Sequence, residues 1–278
     1  MKAQNKTWLI TGCSSGLGHA LAKEVLTQGY NAVVTARKIE DVQQLAKDYP
    51  ETALAASLDI TDLDQIATVI KQAEEKFGSV DVLINNAGYG YRAAVEEGED
   101  KEVRKLLDTI FFGTVYMIQA VLPGMRSSRS GTIMNVSSIG GRYAAPGSGY
   151  YSAAKFAVEG MSDALRKELA PLGIKVTVIE PGAFRTEFAG RSLKGSEIEI
   201  DDYKDTVGPR RKQHDKTSGT QQGDPQKAAQ AIIKIEEGDK VPFRLLLGSD
   251  AIDGIRKELS SQQQELEDWL EVSSSTDY

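Results

Sequence analysis

The stretch Thr7–Leu21, TWLITGCSSGLGHAL, decides the fold. It opens as an apolar strand, turns through Gly12, Gly16 and Gly18, and runs directly into a helical pattern. Glycine permits a tight turn and lets the backbone approach a bulky anion. The free N–H groups and dipole at the start of the helix then favour negative charge. The spacing is not GxGxxG, and a glycine-rich turn after a strand is sometimes only a turn. Its place at the first strand–helix junction of an alternating chain favours the pyrophosphate of a dinucleotide.

The alternation continues outward from there. Further strands are expected at Asn31–Ala36, Ala53–Asp59, Val80–Asn86, Gly131–Ser138, Ile174–Gly182 and Phe243–Gly248. Most are apolar on both faces, as strands of a covered parallel sheet are. Helices are expected at Leu17–Gln28, Leu63–Phe77, Asp100–Met125, Tyr150–Pro171 and Pro225–Glu237. The last begins Asp-Pro, a cap followed by proline at the first helical position. The pattern implies an α/β fold: a single doubly wound Rossmann-type domain over residues 1–278, with a seven-stranded parallel sheet flanked by helices. One polar, weakly periodic segment, 187–223, interrupts the rhythm and reads as a lid over substrate. Residues 249–278 read as a charged amphipathic helix and tail.

Composition narrows the function. The 278 residues are 40% hydrophobic and 26% charged, with net charge −7, which argues against nucleic acid as the main partner. A single cysteine, Cys13, excludes an internal disulfide, and the two histidines, His19 and His214, lack metal-ligand spacing. Cys13 reads as a small turn residue rather than a nucleophile. The first residues carry no apolar run of signal-peptide length, and no stretch is expected to span a membrane, so a cytoplasmic protein is expected.

Chemistry-bearing residues fall at strand ends. Arg37 follows the second strand in VVTARK, where an acidic residue would suit a free ribose 2′-hydroxyl. A guanidinium there suits a 2′-phosphate instead, although a solvated surface arginine is the simpler reading. Ser14 and Ser15 offer hydroxyls to the same phosphate. INNAGYG places Asn86, Ala87 and Gly88 at the fourth strand's end, and NVSS places Ser137 and Ser138 at the fifth's. In YYSAAKFAVEG, Tyr151 and Lys155 are one helical turn apart on one face, while Tyr150 faces Ala154.

Taken in order, TGxxxGxG, NNAG, Ser, YxxxK and PG resemble the classical short-chain dehydrogenase/reductase family, closely over residues 6–186 and more loosely at the strand 243–248. Within it the chain resembles bacterial members near the retinol and 17β-hydroxysteroid dehydrogenases. The resemblance implies that Tyr151 is the general acid/base, that Lys155 binds the nicotinamide ribose and lowers the tyrosine pKa, and that Ser138 polarises the substrate oxygen. It implies further cofactor contacts at Gly12, Ser14, Ser15, Gly16, Leu17, Gly18, Arg37, Asp59, Ile60, Asn86, Ala87 and Gly88, and at Pro181, Gly182 and Thr186. The expected cofactor is NADP(H), with NAD(H) open; no metal is expected. Elementary chemistry agrees: a phenol near pKa ~10 is a poor base at neutral pH unless a cation favours phenolate, and a hydroxyl aimed at the carbonyl oxygen stabilises a developing alkoxide.

One position departs from the family. Many members carry an asparagine three residues before the glycine of LLDTIFFGTVY, in a proton relay behind the lysine; Ile110 stands there. Thr109 is the candidate substitute. The leading reading is a carbonyl reductase or alcohol dehydrogenase acting on a medium-sized hydrophobic ketone or secondary alcohol, with Tyr89, Tyr91, Gly140, Tyr143 and Phe184 lining the substrate. A catalytically weak cofactor-sensing protein and a 3-oxoacyl reductase are the alternatives. Association into a homo-oligomer stays open.

Overall fold

Trp8 and Ile10 leave the first strand on one side and Leu9 on the other, and all three are wholly buried. In the computed structural model, which describes residues 5–186, 192–211 and 219–278, this strand, β1 (Thr7–Ile10), is an inner strand of a seven-stranded sheet. Around it pair β2 (Asn31–Ala36), β3 (Ala53–Ser57), β4 (Val82–Asn85), β6 (Gly131–Val136), β7 (Ile174–Pro181) and β9 (Arg244–Leu247). Every pairing is parallel, in the order β3-β2-β1-β4-β6-β7-β9. The order reverses between β1 and β4, the switch point at which such sheets bind ligands outside the carboxyl ends of their strands.

Helices cover both faces. The Trp8 face packs against α1 (Gly16–Thr27) and α7 (Pro225–Glu237), through Leu21, Val25, Ile232 and Ile233. The Leu9 face packs against α3 (Leu63–Phe77), α5 (Gly113–Ser128) and α6 (Gly149–Leu169), through Ile66, Val69, Met117, Val121 and Leu165. Asp224 caps α7 as its Asp-Pro start implies, accepting from the N–H groups of Gln226 and Lys227.

The expected helix over 100–125 departs from plain α geometry. It runs as α4 (Asp100–Leu107), a π-helical turn Asp108–Phe112, and then α5. The run Asp100–Ser128 is also long and apolar enough to cross a membrane by composition, contrary to the sequence expectation. Its apolarity has a use in this fold: Leu106, Ile110, Met117, Val121 and Met125 are buried in the core.

The segment expected as a lid is partly outside the described residues, namely 187–191 and 212–218, which include His214. Its middle adds a parallel pair that was not anticipated, β5 (Gly90–Arg92) with β8 (Leu193–Gly195). Buried Glu97 holds this region together, accepting from the N–H groups of Ala94 and Ile200 at 2.7 and 2.9 Å and pairing with Arg211. The chain closes with α8 (Ser249–Asp268) and α9 (Leu270–Ser274).

Candidate active site

The turn between β1 and α1 has the shape its glycines allow. Gly12 and Gly16 take positive φ angles of 73° and 63°. A Cβ on Gly12 would sit 2.8 Å from Ala87 Cα, and one on Gly18 would sit 2.4 Å from the Gly12 carbonyl oxygen. Side chains at these positions would therefore close the cradle. Asn86 fixes the turn from across the switch point: its amide donates to the carbonyls of Thr11 and Gly12 at 2.9 and 3.0 Å. Asn86, expected to line the groove, thus commits its side-chain NH2 to bracing the cradle. Ser15 stands at the N-cap of α1 without spending its hydroxyl on the cap, and Thr186 lies over Gly16.

Around this cradle the remaining candidates divide. Arg37 is exposed just past β2, and its charge reaches the Tyr89 phenol. One Asp59 oxygen accepts from the N–H and hydroxyl of Thr61 at 3.0 and 2.7 Å. The Ile60 side chain is buried under Gly113, which leaves its backbone as the part available to a ligand. Leu17, partly buried, packs on the core of the Trp8 face.

Ser138, Tyr151 and Lys155 converge beyond the carboxyl end of β6. Ser138 is extended and accepts from the Gly140 N–H at 3.0 Å. Its hydroxyl also hydrogen-bonds the Tyr151 phenol. Gly140 packs against the tyrosine ring, where a Cβ would stand 3.2 Å from Cε1. Lys155 lies on the same face of α6, its Nζ 5.8 Å from the Tyr151 ring centre, and donates to the Val136 carbonyl at 2.7 Å.

Burial governs both titrations. It pushes the Tyr151 phenol up to about 12, opposed by the bond from Ser138. It pushes the Lys155 ammonium down to about 8, opposed by the charge of Glu159. Lys155 turns its Nζ to the Val136 carbonyl, and the neighbour that opposes the rise of the phenol is the Ser138 hydroxyl.

Packing places the remaining aromatic candidates and corrects one of them. Tyr91 is 1% exposed and exchanges hydrogen bonds with Glu99, so it is core rather than substrate wall. Tyr150 donates to the Val95 carbonyl at 2.5 Å and is likewise structural. The Tyr89 phenol lies among Glu102, Arg37 and Thr109, with Lys194 over its ring. Tyr143 presses its hydroxyl against Gly254 of α8, and the Phe184 ring packs on Gly223. Ile110 is buried beside Gly88, close to Lys155. Thr109 is half-buried and donates its hydroxyl to the Lys105 carbonyl at 2.9 Å, so that hydroxyl is already committed on its own helix.

Sequence reasoning missed Asp250. From the first turn of α8 its carboxylate accepts the Ala183 N–H at 2.7 Å and crowds Gly182, fixing the Pro181–Gly182 turn. No local pattern marks a contact made across 67 residues. The free thiol of Cys13 is buried and pushed up to about 12, as an inert turn residue would be. Among the described residues no group of His, Cys, Asp or Glu side chains could hold a metal ion.

Comparison with known proteins gives a consistent picture. The short chain dehydrogenase family model matches residues 6–196. An oxidoreductase, BOA17, of Botryotinia fuckeliana is 40% identical over 269 residues, covering 96% of this chain and 98% of that protein. A 3-ketodihydrosphingosine reductase of Bacteroides thetaiotaomicron is 38% identical over 247 residues, covering 86% and 87%. A short-chain dehydrogenase of Streptomyces avermitilis, known from its crystal structure, superposes with a TM-score of 0.92 at 42% identity and full coverage of both chains. One from Burkholderia cenocepacia, solved with NADP, gives a TM-score of 0.73 at 26% identity, covering 96% and 97%.

Proposed function

The chain belongs to the short chain dehydrogenase family, and we propose that within it this oxidoreductase is an NADP(H)-dependent carbonyl reductase for hydrophobic ketones, with Tyr151 as general acid. The observation that carries this reading is the convergence of Ser138, Tyr151 and Lys155 beside a glycine cradle at the switch point.

The cradle fits a dinucleotide, because Gly12, Gly16 and Gly18 keep backbone N–H groups approachable at the start of α1. Arg37 would take the 2′-phosphate, and Thr186 and Pro181–Gly182 the nicotinamide side. When bound, the cofactor supplies the hydride. The protein's own residues handle the oxygen. Ser138 and Tyr151 offer two hydroxyls to the substrate carbonyl, which orients it and stabilises the developing alkoxide. Burial keeps Tyr151 protonated at neutral pH, so it enters as the donor and passes its proton to that oxygen. Lys155, cationic below about 8, stabilises the phenolate left behind. Substrate class rests on similarity to a 3-ketodihydrosphingosine reductase.

A panel of aliphatic and aromatic ketones, assayed with NADPH and NADH, tests the reading. Turnover of hydrophobic ketones with NADPH supports it. Tight cofactor binding without turnover of any ketone or alcohol would favour a cofactor-sensing protein instead.

A further inference from the structure

Glu159 follows Lys155 by one turn of α6, and Glu180 precedes Pro181 at the end of β7. Both are buried, at 5% and 0% exposure. Two guanidinium groups hold them. Arg142, just past the short turn after Ser138, donates to the two Glu180 oxygens at 3.1 and 3.3 Å. Arg244 of β9 bridges the carboxylates, 3.0 Å from Glu159 and 3.2 Å from Glu180. Four charges therefore join the helix of Tyr151 and Lys155, the turn after Ser138, and the strand that leads into Gly182.

The same place holds two buried polar atoms without a hydrogen-bond partner, Glu159 Oε1 and Ser137 Oγ. Ser137 Oγ and the Glu159 stem border one point: a Cβ on Gly141 would stand 2.5 Å from Ser137 Oγ, 3.1 Å from Glu159 Cγ and 3.2 Å from the Lys155 carbonyl oxygen. Glu159 thus follows Lys155 by one helical turn, buried and with one oxygen uncommitted. Near Gly88, where a Cβ would stand 4.0 Å from Lys155 Nζ and 3.6 Å from Ile110 Cγ1, Ile110 supplies no charge. A buried ammonium needs a counter-charge to stay protonated.

We propose that Glu159 is a positioning residue for this reaction: its carboxylate, anchored by Arg244 and packed with Glu180, is the buried counter-charge that keeps Lys155 cationic beside Tyr151. The proposal rests on the roles given to Tyr151 and Lys155 above. The groups facing Lys155 and this pair are Tyr151 on α6, Arg142 after Ser138, Arg244 on β9 and Glu180 on β7. Two adjoining buried carboxylates resist double ionisation. Burial first, and then the charge of Glu159, push Glu180 up to about 7. Glu180 thus holds a proton just below neutrality, and Lys155 should sense its loss.

Protein labelled with 13C at the lysine ε-carbon reads this directly, the Lys155 resonance being the one absent from Lys155→Met. In wild type that resonance should titrate with a second, smaller inflection near pH 7, where the carboxylate pair loses its proton. In Glu159→Gln the main titration should fall by about one pH unit, the scale of a nearby charge at partial burial. The alkaline limb of the ketone-reduction profile should fall with it. Glu159→Asp, which keeps the charge, should restore both. An unmoved Lys155 titration in folded Glu159→Gln overturns the proposal. So does a wild-type resonance with no inflection near pH 7, a measurement that needs no variant. Full turnover by Lys155→Met would instead remove the catalytic reading on which the proposal stands.

Discussion

Lys155 on α6 donates to the carbonyl of Val136 at 2.7 Å, two residues before Ser138 on the same exit from β6. The helix that carries Tyr151 and Lys155 is therefore pinned to the strand end that presents Ser138. Ser138 in turn bonds Tyr151, four residues before the lysine. Strand exit and helix hold each other in register, so Ser138, Tyr151 and Lys155 are held by the sheet and the helix packed against it.

The direction of catalysis should follow pH. Burial pushes Tyr151 up to about 12, so it keeps its proton throughout the neutral range. Ketone reduction is expected to be flat through neutrality and to fall above about 8 as Lys155 loses its proton. Alcohol oxidation requires the phenolate and should rise by roughly tenfold per pH unit below that point. Initial rates in both directions across pH check this; an oxidation rate independent of pH contradicts it.

Ile110→Asn tests the departure from the family pattern. Ile110 is 1% exposed in the π-helical turn and close to Lys155. A polar group there is expected to raise kcat by up to ~10-fold, about 1.4 kcal/mol of barrier. An unsatisfied buried amide should meanwhile cost ~1–3 kcal/mol of stability. Measuring kcat and Tm together separates the effects. Unchanged or lower kcat in a variant as stable as wild type would show that this protein does not need the asparagine.

Arg37→Ala addresses cofactor choice. Arg37 is exposed at the end of β2 and free to meet a 2′-phosphate. Its loss is expected to weaken NADPH binding by roughly 1.5–3 kcal/mol, the range for hydrogen bonds to charged groups, and to leave NADH binding nearly unchanged. Titration calorimetry with each cofactor measures both. A wild-type preference for NADH would remove the assignment.

Glu180 should leave a signature in stability. Its folded pKa of about 7 lies above its ordinary value of 4.5, so between these values the native state keeps a proton that the unfolded chain has released. The resulting contribution is fully present below pH 4.5 and is lost as pH rises towards about 7. In Glu180→Gln that loss is absent. The difference in Tm between wild type and variant should therefore change across this window. A constant difference would show that Glu180 titrates normally.

Local patterns made most of the architecture legible. Trp8, Leu9 and Ile10 alternate between two covered faces, and Asp224-Pro225 starts a helix as its chemistry dictates. Tyr151 and Lys155 share a helix face because four residues is one turn. What stayed hidden depends on distant contacts. The 3-residue strand Leu193–Gly195 has no apolar alternation and forms by pairing with Gly90–Arg92. Tyr91 reads as a site aromatic until Glu99 closes over its hydroxyl. That the Asn86 amide braces Thr11 and Gly12 shows only once the two strand ends are side by side. Arg142, Glu159, Glu180 and Arg244 are unremarkable charges in the sequence, and only the fold brings them together behind Lys155.

The central claim, that Tyr151 serves a hydride transfer to a ketone, is tested most directly with NADPH carrying deuterium at both positions of the nicotinamide C4. Mass spectrometry of the product alcohol should show one deuterium on the carbinol carbon. Tyr151→Phe should lose most of this turnover with nearly unchanged NADPH affinity. Tyr150→Phe, which removes only the bond to the Val95 carbonyl, should cost about 0.5–1.5 kcal/mol of stability and little activity. Product alcohol without deuterium, or equal loss of turnover from the two tyrosine variants, would contradict the account.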